Sequence, residues 1–472
     1  MQAHQGQYIG GSWTDPASAD VVEVLNPATE EVVATVPAGT AEDVDAAVRA
    51  ARAAFRGWAS TPREERLAAL TRLRDGIAAR QQDIARTVVT ELGSPIGFAT
   101  MVQAGLPLAV SASYVELLSG YSFEEKVGNS VVRSEPVGVV GAITPWNYPL
   151  HQIVNKVVPA LAAGCTVVLK PAEDTPLTAR LFAEIVDAAG FPPGVFNMVT
   201  GYGAVAGAAL AEHPDVDMVS FTGSTAVGRS VAAAAADGIK RVALELGGKS
   251  ANVVLPGADL ARAVNVNVGN VCNNSGQTCS AWTRLLVHEN DYDEAVAIAA
   301  KAVEKYVPGD PASPETRLGP VVNAKQRDRV RGYIQAGIDE GARLVAGGPE
   351  APEGAERGFF VRPTIFADVT PDMRIAQEEI FGPVLCILKY RDEDEAVEIA
   401  NGTRYGLAGG VWAADDATAA AFALRMDTGQ VDINGGRFNP VAPFGGYKQS
   451  GVGRELGRHG LEEYLQTKSL QY

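Results

Sequence analysis

Cysteine is scarce in this chain, with four residues in 472: Cys165, Cys272, Cys279 and Cys386. They are too few and too scattered to staple a fold of this length, which excludes a disulfide framework and points to a reducing, cytoplasmic compartment. Positive charge is also short, with 40 Lys and Arg against 56 Asp and Glu and a formal charge of −16. Neutralising a nucleic-acid backbone needs a basic surplus, so nucleic acid is excluded as the main partner, while a local nest of N–H groups can still hold an anionic cofactor. No apolar run reads as the roughly 20 residues that cross a bilayer. "MQAHQGQYIGGSW" lacks the basic-then-apolar order of a signal peptide, so neither a membrane nor a secretory route is expected. Histidine is limited to His4, His151, His213, His288 and His459, none in a context that suggests a Cys/His relay, and no metal site is expected.

What is present is a soluble globular composition, 46% hydrophobic and 20% charged. "TAEDVDAAVRAARAAF" starts with Thr40 and Asp43 in capping-box spacing and carries Val44, Ala47, Val48, Ala51 and Phe55 on one stripe, which predicts a helix. "TPREERLAALTRLRDGIAARQQDIARTVVTEL" predicts another, with Thr61 as N-cap, Pro62 in the first helical position and Gly93 as the stop. From Val137 the pattern becomes short β-branched runs, "VGVVGAIT", "TVVLK", "VFNMVT", "VDMVSFT", "VALEL" and "ANVVL", separated by helical segments. That alternation implies βαβ units on a mostly parallel sheet, whose post-strand turns bind ligands. A second series, "TRLLVH", "VLCILKY", "LAGGVWA" and "GQVDIN", predicts a second α/β domain. "YSFEEKVGNSVVRSEP" and "YLQTKSLQY" fit neither series and read as extended edge pieces that need a partner. "VPGDPASPETRLGP" and "GGPEAPEGAERG" read as surface loops.

Several stretches have both a chemical and a purely structural reading. "GYGAVA", with Gly201, Gly203 and Ala206, matches a G-x-G-x-x-A dinucleotide turn, but any tight turn with close helix packing selects the same residues. In "FTGSTAVG" the small residues Gly223, Ser224 and Thr225 sit between strand and helix, suited either to a pyrophosphate at a helix N-terminus or to an ordinary N-cap. Lys170 and Glu173 in "VVLKPAE" can hold a ribose diol or simply be solvated. Glu245 in "ALELGGK" is either a solvated strand end or a carboxylate in a partly apolar cleft, where a raised pKa suits base work. Asn147 in "ITPWNYP" belongs to an aromatic wedge closing the sheet or to an oxyanion donor. Cys279 in "NNSGQTCS" has a strong structural alternative, since free cysteine is commonly a small buried hydrophobe. Its neighbours Asn273, Asn274, Ser275, Gln277, Thr278 and Ser280 are not core lining, which favours a reactive thiol served by a glutamate base.

Taken in order, "PWNYP", "KPAEDTP", "FTGSTAVG", "LELGGKS", "GQTCS", "EEIFGPV" and "PFGGYKQSGVGRELG" resemble the aldehyde dehydrogenase superfamily over nearly the whole chain. The resemblance implies an α/β fold: a Rossmann-like NAD-binding domain over 1–119 and 137–246, an α/β catalytic domain over 247–448, and a small β oligomerisation arm from 120–136 and 462–472 of a homodimer or homotetramer. It implies that Cys279 attacks an aldehyde, that Asn147 stabilises the oxyanion of a thiohemiacetal, and that Glu245 activates the water that hydrolyses a thioester, with Lys156 and Glu455 as a proton relay. Cofactor contacts are implied at Ile143, Thr144, Pro145, Trp146, Lys170, Glu173, Gly203, Gly223, Ser224, Gly228, Glu379 and Phe381, with NAD favoured over NADP because Glu173 repels a 2′-phosphate. Tyr148, Gln152, Asn155, Thr278, Ser280 and Phe444 are the implied substrate pocket. Asn155 and the Trp-free loop "GGRFNPVAP" weaken an aromatic cage for trimethylammonium, and Arg437 in that loop either meets an acidic substrate or faces solvent. A thiol esterase using Cys279 without redox chemistry, and a non-catalytic dinucleotide binder, are the competing functions. The first leaves Lys170, Glu173, Ser224 and Glu379 unexplained, and the second leaves Cys279, Glu245 and Asn147 unexplained.

Overall fold

The runs Val139–Ile143, Thr166–Lys170 and Met218–Thr222 are buried at every residue, as strands covered by helices on both faces must be. The computed structural model describes residues 6–355 and 357–472; His4 and Glu356, which belong to the stretches read above, lie outside them. The first sheet has eight strands in the order Ser12–Thr14, Gln7–Ile9, Phe196–Met198, Thr166–Lys170, Val139–Ile143, Met218–Thr222, Arg241–Glu245 and Gly451–Val452. Its five central strands pair in parallel. Chain order runs outward from Val139–Ile143 to Phe196–Met198, then restarts on its other side with Met218–Thr222. That reversal is the topological switch point of a doubly wound sheet, where a crevice opens beyond the carboxyl ends of the strands.

The second sheet has seven strands in the order Arg343–Ala346, Thr364–Ala367, Val384–Tyr390, Arg284–His288, Ala251–Val254, Ala408–Trp412 and Gln430–Ile433. All neighbours are parallel except the bulged pair Arg343–Ala346 with Thr364–Ala367. "ANVVL", read with the first series, belongs to this sheet. Only Leu246–Ser250 separate Glu245, at the carboxyl end of one sheet, from Ala251, at the start of a strand in the other. The two edge pieces become a three-stranded antiparallel sheet of Leu465–Gln471, Ser130–Pro136 and Glu124–Val127.

Helix boundaries follow local chemistry with one exception. Ala41–Ala59 is capped by Thr40 in a reciprocal box with Asp43. The long second helix is broken at Arg80 into Arg63–Ala79 and Gln81–Leu92, and the first of these starts after Pro62 with no side-chain cap, so Thr61 is not its N-cap. Gly93 closes Gln81–Leu92 at φ 76, as expected of a left-handed C-terminal stop. The N-terminal region also contains two antiparallel strand pairs, at 7–14 and 21–37, that helix periodicity did not reveal.

Ile96–Gly120 contradicts the expectation that no segment has span-like length: it is a 25-residue helical run whose most apolar window has mean hydropathy 1.3. One face packs into the core through Val110, Tyr114 and Leu118. Another, with Phe98, Met101, Val102 and Leu106, walls a cavity described below. A helix that meets core on one side and a ligand-sized cavity on the other is apolar around most of its circumference.

Arg284 ties the start of its strand to neighbouring segments, with Nε donating to the Lys249 carbonyl at 2.9 Å and the guanidinium to those of Ile399 and Ala400 at 2.6 and 2.7 Å. Arg284→Met removes the donors and leaves buried carbonyls unpaired, so it is expected to cost about 3 kcal/mol of stability, read as a lowered denaturation midpoint.

Candidate active site

Helix Leu260–Cys272 ends in a turn that no ordinary sequence holds without help. Asn274, Ser275 and Gly276 are consecutive left-handed residues, at φ 51, 57 and 74. Asn tolerates that region and Gly is free in it, whereas Ser275 costs on the order of 1 kcal/mol. A Cβ on Gly276 would lie 2.0 Å from the Gly382 carbonyl carbon. Ser275 Oγ donates to the Gly319 carbonyl at 2.8 Å, Gln277 Nε2 donates to the Asn274 carbonyl at 3.1 Å, and Gln277 Oε1 accepts from Val322 N–H at 2.9 Å. Asn147 Nδ2 donates to the Gln277 carbonyl at 3.0 Å, while the Asn147 carbonyl accepts from Asn274 Nδ2 at 2.8 Å and Gln103 Nε2 at 3.0 Å. "PWN" and "GQTC" are therefore one hydrogen-bonded unit, with Asn147 only 3% exposed.

Glu245 ends its strand beside Thr222, and the two glycines after it answer to sterics. A Cβ on Gly247 would fall 2.3 Å from Glu379 Oε2, and one on Gly248 would fall 2.5 Å from the Cys279 carbonyl oxygen. Gly248 N–H donates to Glu379 Oε1 at 3.0 Å, so the missing side chains let Glu379 and Cys279 close onto this strand end. Glu245 is 5% exposed and its Oε2 has no hydrogen-bond partner.

Cys279 lies where two cavities meet. One, of about 510 Å³, is walled by Phe98, Leu106, Trp282 and Phe438 and by all six residues of the expected substrate pocket: Tyr148, Gln152, Asn155, Thr278, Ser280 and Phe444. Tyr148 OH and Thr278 Oγ1 are hydrogen-bonded at 2.7 Å. The other, of about 470 Å³, is bounded by Pro145, Trp146, Asn147, Gly223, Ser224, Glu245, Glu379 and Phe381. It opens at the switch point of the first sheet. Phe381 takes φ 65 and sets its ring edge-on to Trp146 at 5.4 Å.

The remaining expected positions sit around the second cavity or beyond it. Lys170 Nζ donates to Glu173 Oε2 at 2.9 Å, and Gly203 N–H approaches Glu173 Oε1 at 3.5 Å, so these three form a group of their own that does not line the cavity. Ile143 and Thr144 are buried at the strand end. Ser224 caps helix Thr225–Asp237 through Val227 N–H at 3.3 Å. The space a Cβ would need at Gly228 is filled by Leu246 at 2.5 Å, which gives that glycine a packing role. Arg437 is exposed and lines neither cavity. Lys325, Arg329, Asp174 and Asn323 in the second cavity, and His151, Trp282, Gln430 and Asp432 in the first, escaped the sequence analysis. His151 alone had a visible signal, one helical turn before Asn155.

Helix Pro149–Ala163 is buried at all fifteen positions, yet it carries His151, Gln152, Asn155 and Lys156. Lys156 Nζ meets Glu455 Oε1 at 2.5 Å, and Asn155 Nδ2 lies 3.2 Å from Glu455 Oε2 and 3.1 Å from His151 Nε2. Burial pushes His151 down to about 4, leaving it neutral near neutral pH.

Burial, then the charge of Glu455, holds the Glu245 carboxyl well above the usual range, partly offset by Lys156 and Arg454. Burial, then the carboxylates of Glu379, Glu245 and Glu455, pushes the Cys279 thiol up. Both groups are thus biased towards their protonated forms. Iodoacetamide labelling of Cys279, followed by peptide mass spectrometry, is expected to rise with pH beyond the ordinary thiol range of about 8.5 without a plateau. Glu245→Gln, which removes a carboxyl able to ionise beside the thiolate at high pH, is expected to move that profile to lower pH.

A profile of the aldehyde dehydrogenase family matches residues 13–470. The chain is 48% identical over 476 residues to 3-succinoylsemialdehyde-pyridine dehydrogenase from a Pseudomonas species, covering 100% of this chain and 99% of that protein. It is similar to the crystal structure of aldehyde dehydrogenase C from Pseudomonas syringae, a cysteine-to-alanine mutant complexed with NAD+ and octanal. That likeness has a TM-score of 0.98 and 50% identity and covers 99% of this chain and 97% of the other. Mycobacterium tuberculosis aldehyde dehydrogenase complexed with NAD+ gives a TM-score of 0.97 at 46% identity, covering 99% and 98% of the two chains. The chain therefore belongs to the aldehyde dehydrogenase family.

Proposed function

We propose that this protein oxidises an aldehyde to the carboxylic acid with NAD, using Cys279 as nucleophile. The observation that carries the proposal is that Cys279 lines both cavities, so a single sulfur meets an aldehyde from one side and a dinucleotide from the other. A thiol hydrolase without redox chemistry has no use for the second cavity.

The residues around that cavity fit a dinucleotide. Thr144 Oγ1 and Thr222 Oγ1 are buried at the switch point with no partner, and Gly223 and Ser224 open a thirteen-residue helix whose N-terminus favours pyrophosphate. Lys325 and Arg329 bring positive charge to its wall. Glu173 suits the adenosine ribose diol; burial acts to raise its carboxyl, but Lys170 and backbone N–H groups, that of Gly203 among them, together keep it below the usual range, and its negative charge repels a 2′-phosphate. Glu379 and Phe381 suit the nicotinamide end. When bound, the oxidised nicotinamide supplies a hydride acceptor and a positive charge beside Cys279.

Cys279 Sγ, relieved of its proton, bonds to the aldehyde carbon, and the electron pair displaced to oxygen is met by the Asn147 amide and the Cys279 backbone N–H. Loss of hydride from that carbon restores the carbonyl as a thioester on Sγ. Glu245 takes a proton from water as the water oxygen bonds to the acyl carbon, and the carbon–sulfur bond breaks to release the acid. A buried carboxylate with a raised pKa is a strong base once ionised, and the Lys156–Glu455 pair offers the proton a route away from it. A reducing cytoplasm keeps the thiol available, and the open edges of the three-stranded sheet support a homodimer or homotetramer.

The test is reduction of NAD by a panel of aliphatic, aromatic and acidic aldehydes beside Cys279→Ala. Absorbance from reduced nicotinamide is expected with the native protein and none with the variant; equal signal in both overturns the nucleophile. Asn147→Ala is expected to lower kcat about a hundredfold to a thousandfold, measured by initial rates at saturating NAD.

A further inference from the structure

We propose that Asp432 selects aldehydes that carry a protonated nitrogen in addition to the carbonyl. The proposal rests on the aldehyde reading above and names the substrate class for the same cavity. Strand Gln430–Ile433 alternates: Val431 and Ile433 pack against the core of the second sheet, which turns Gln430 and Asp432 to the opposite face, where both line the first cavity. Among the described residues no Lys or Arg lines that cavity, whereas Lys325 and Arg329 line the second. Asp432 is the one carboxylate among its lining residues. The other ionisable groups on the wall are His151, kept neutral by burial, the Tyr148 phenol, which burial pushes up, and Cys279 itself.

Asp432 has one side-chain hydrogen bond, accepted by Oδ1 from Gln430 Nε2 at 2.9 Å. Burial pushes its carboxyl up, and that bond only partly offsets the effect. A carboxylate held against apolar and aromatic wall is costly unless a partner arrives. An alkyl aldehyde strips water from it and returns nothing. An ω-carboxylate adds like charge with no cation to answer it. An ammonium donates an N–H to Asp432 and also enters a space lined by the aromatic residues Phe98, Tyr148, Trp282, Phe438 and Phe444. Trp282 supplies an aromatic surface that the Trp-free loop before Phe444 does not. Because a quaternary ammonium lacks the N–H, the carboxylate favours a protonated amine over it.

The experiment compares kcat/KM for hexanal, an ω-dimethylammonio aldehyde, its trimethylammonio analogue and an ω-carboxylate aldehyde of matched length, in the native protein and in Asp432→Asn and Asp432→Glu. The native protein is expected to favour the dimethylammonio compound over hexanal by about tenfold or more, a hydrogen bond to a charged group. The trimethylammonio compound falls between them and the carboxylate is last. Asp432→Asn is expected to collapse the ammonio-to-hexanal ratio towards one, and Asp432→Glu to keep it above one. A purely structural role lowers all substrates in parallel and leaves the ratio unchanged. Hexanal oxidised normally, with a native ratio at or below one or a ratio that survives Asp432→Asn, overturns the selectivity alone. Failure of the native protein to oxidise any of the four overturns the aldehyde reading beneath it.

Discussion

The hydrogen bonds between Asn147 and the cysteine turn are the constraint on which the site depends. Asn147 belongs to the turn after the central strand of one parallel sheet, and Gln277 to the turn before a strand of the other. Their contact, doubled by Asn274 and reinforced by Gln103, joins the two sheets where both cavities reach Cys279. The left-handed run Asn274–Gly276 is held beside these bonds, and the glycine pair after Glu245 clears room for Glu379 and the Cys279 carbonyl. Strain at the turn and close approach at the strand end are two sides of one arrangement that places Cys279 between two cavities.

Around that joint the protein buries more polar chemistry than an apolar core would tolerate. Helix Pro149–Ala163 is buried throughout, and Glu455 answers for both Asn155 and Lys156 on it. The cluster presses on Glu245 and Cys279 through its charge as well as its packing. Burial and neighbouring carboxylates bias both groups towards their protonated forms.

Much of this was legible in the sequence, and for identifiable reasons. The strand runs from Val137 onward, the Thr40 cap and the Gly93 stop depend on near neighbours, so composition and spacing located them, whereas the Thr61 cap and the N-terminal strand pairs were misread or missed. Cys279, Glu245 and Asn147 stood in short motifs whose polar or glycine neighbours were out of place for core, and the fold brings those motifs together. What escaped depends on convergence across the chain. Asp432 looks like one polar residue in an alternating strand, and only the sheet shows which face looks into a cavity. Trp282 and the wall helix Ile96–Gly120 acquire meaning from what they face, and apolar composition had no means of separating cavity wall from core. Gly228 is implied as a cofactor contact only by the family resemblance, and the space its Cβ would need is taken up by Leu246.

The central claim is that one sulfur carries the acyl group between the two cavities while Glu245 controls its release. Mixing Glu245→Gln protein with NAD and an aldehyde it turns over, then digesting under acid and weighing the peptides, tests it directly. The account predicts an acyl mass on the peptide containing Cys279, with about one reduced nicotinamide formed per modified chain. An unmodified Cys279 peptide beside reduced nicotinamide, or the acyl mass on another residue, would contradict it.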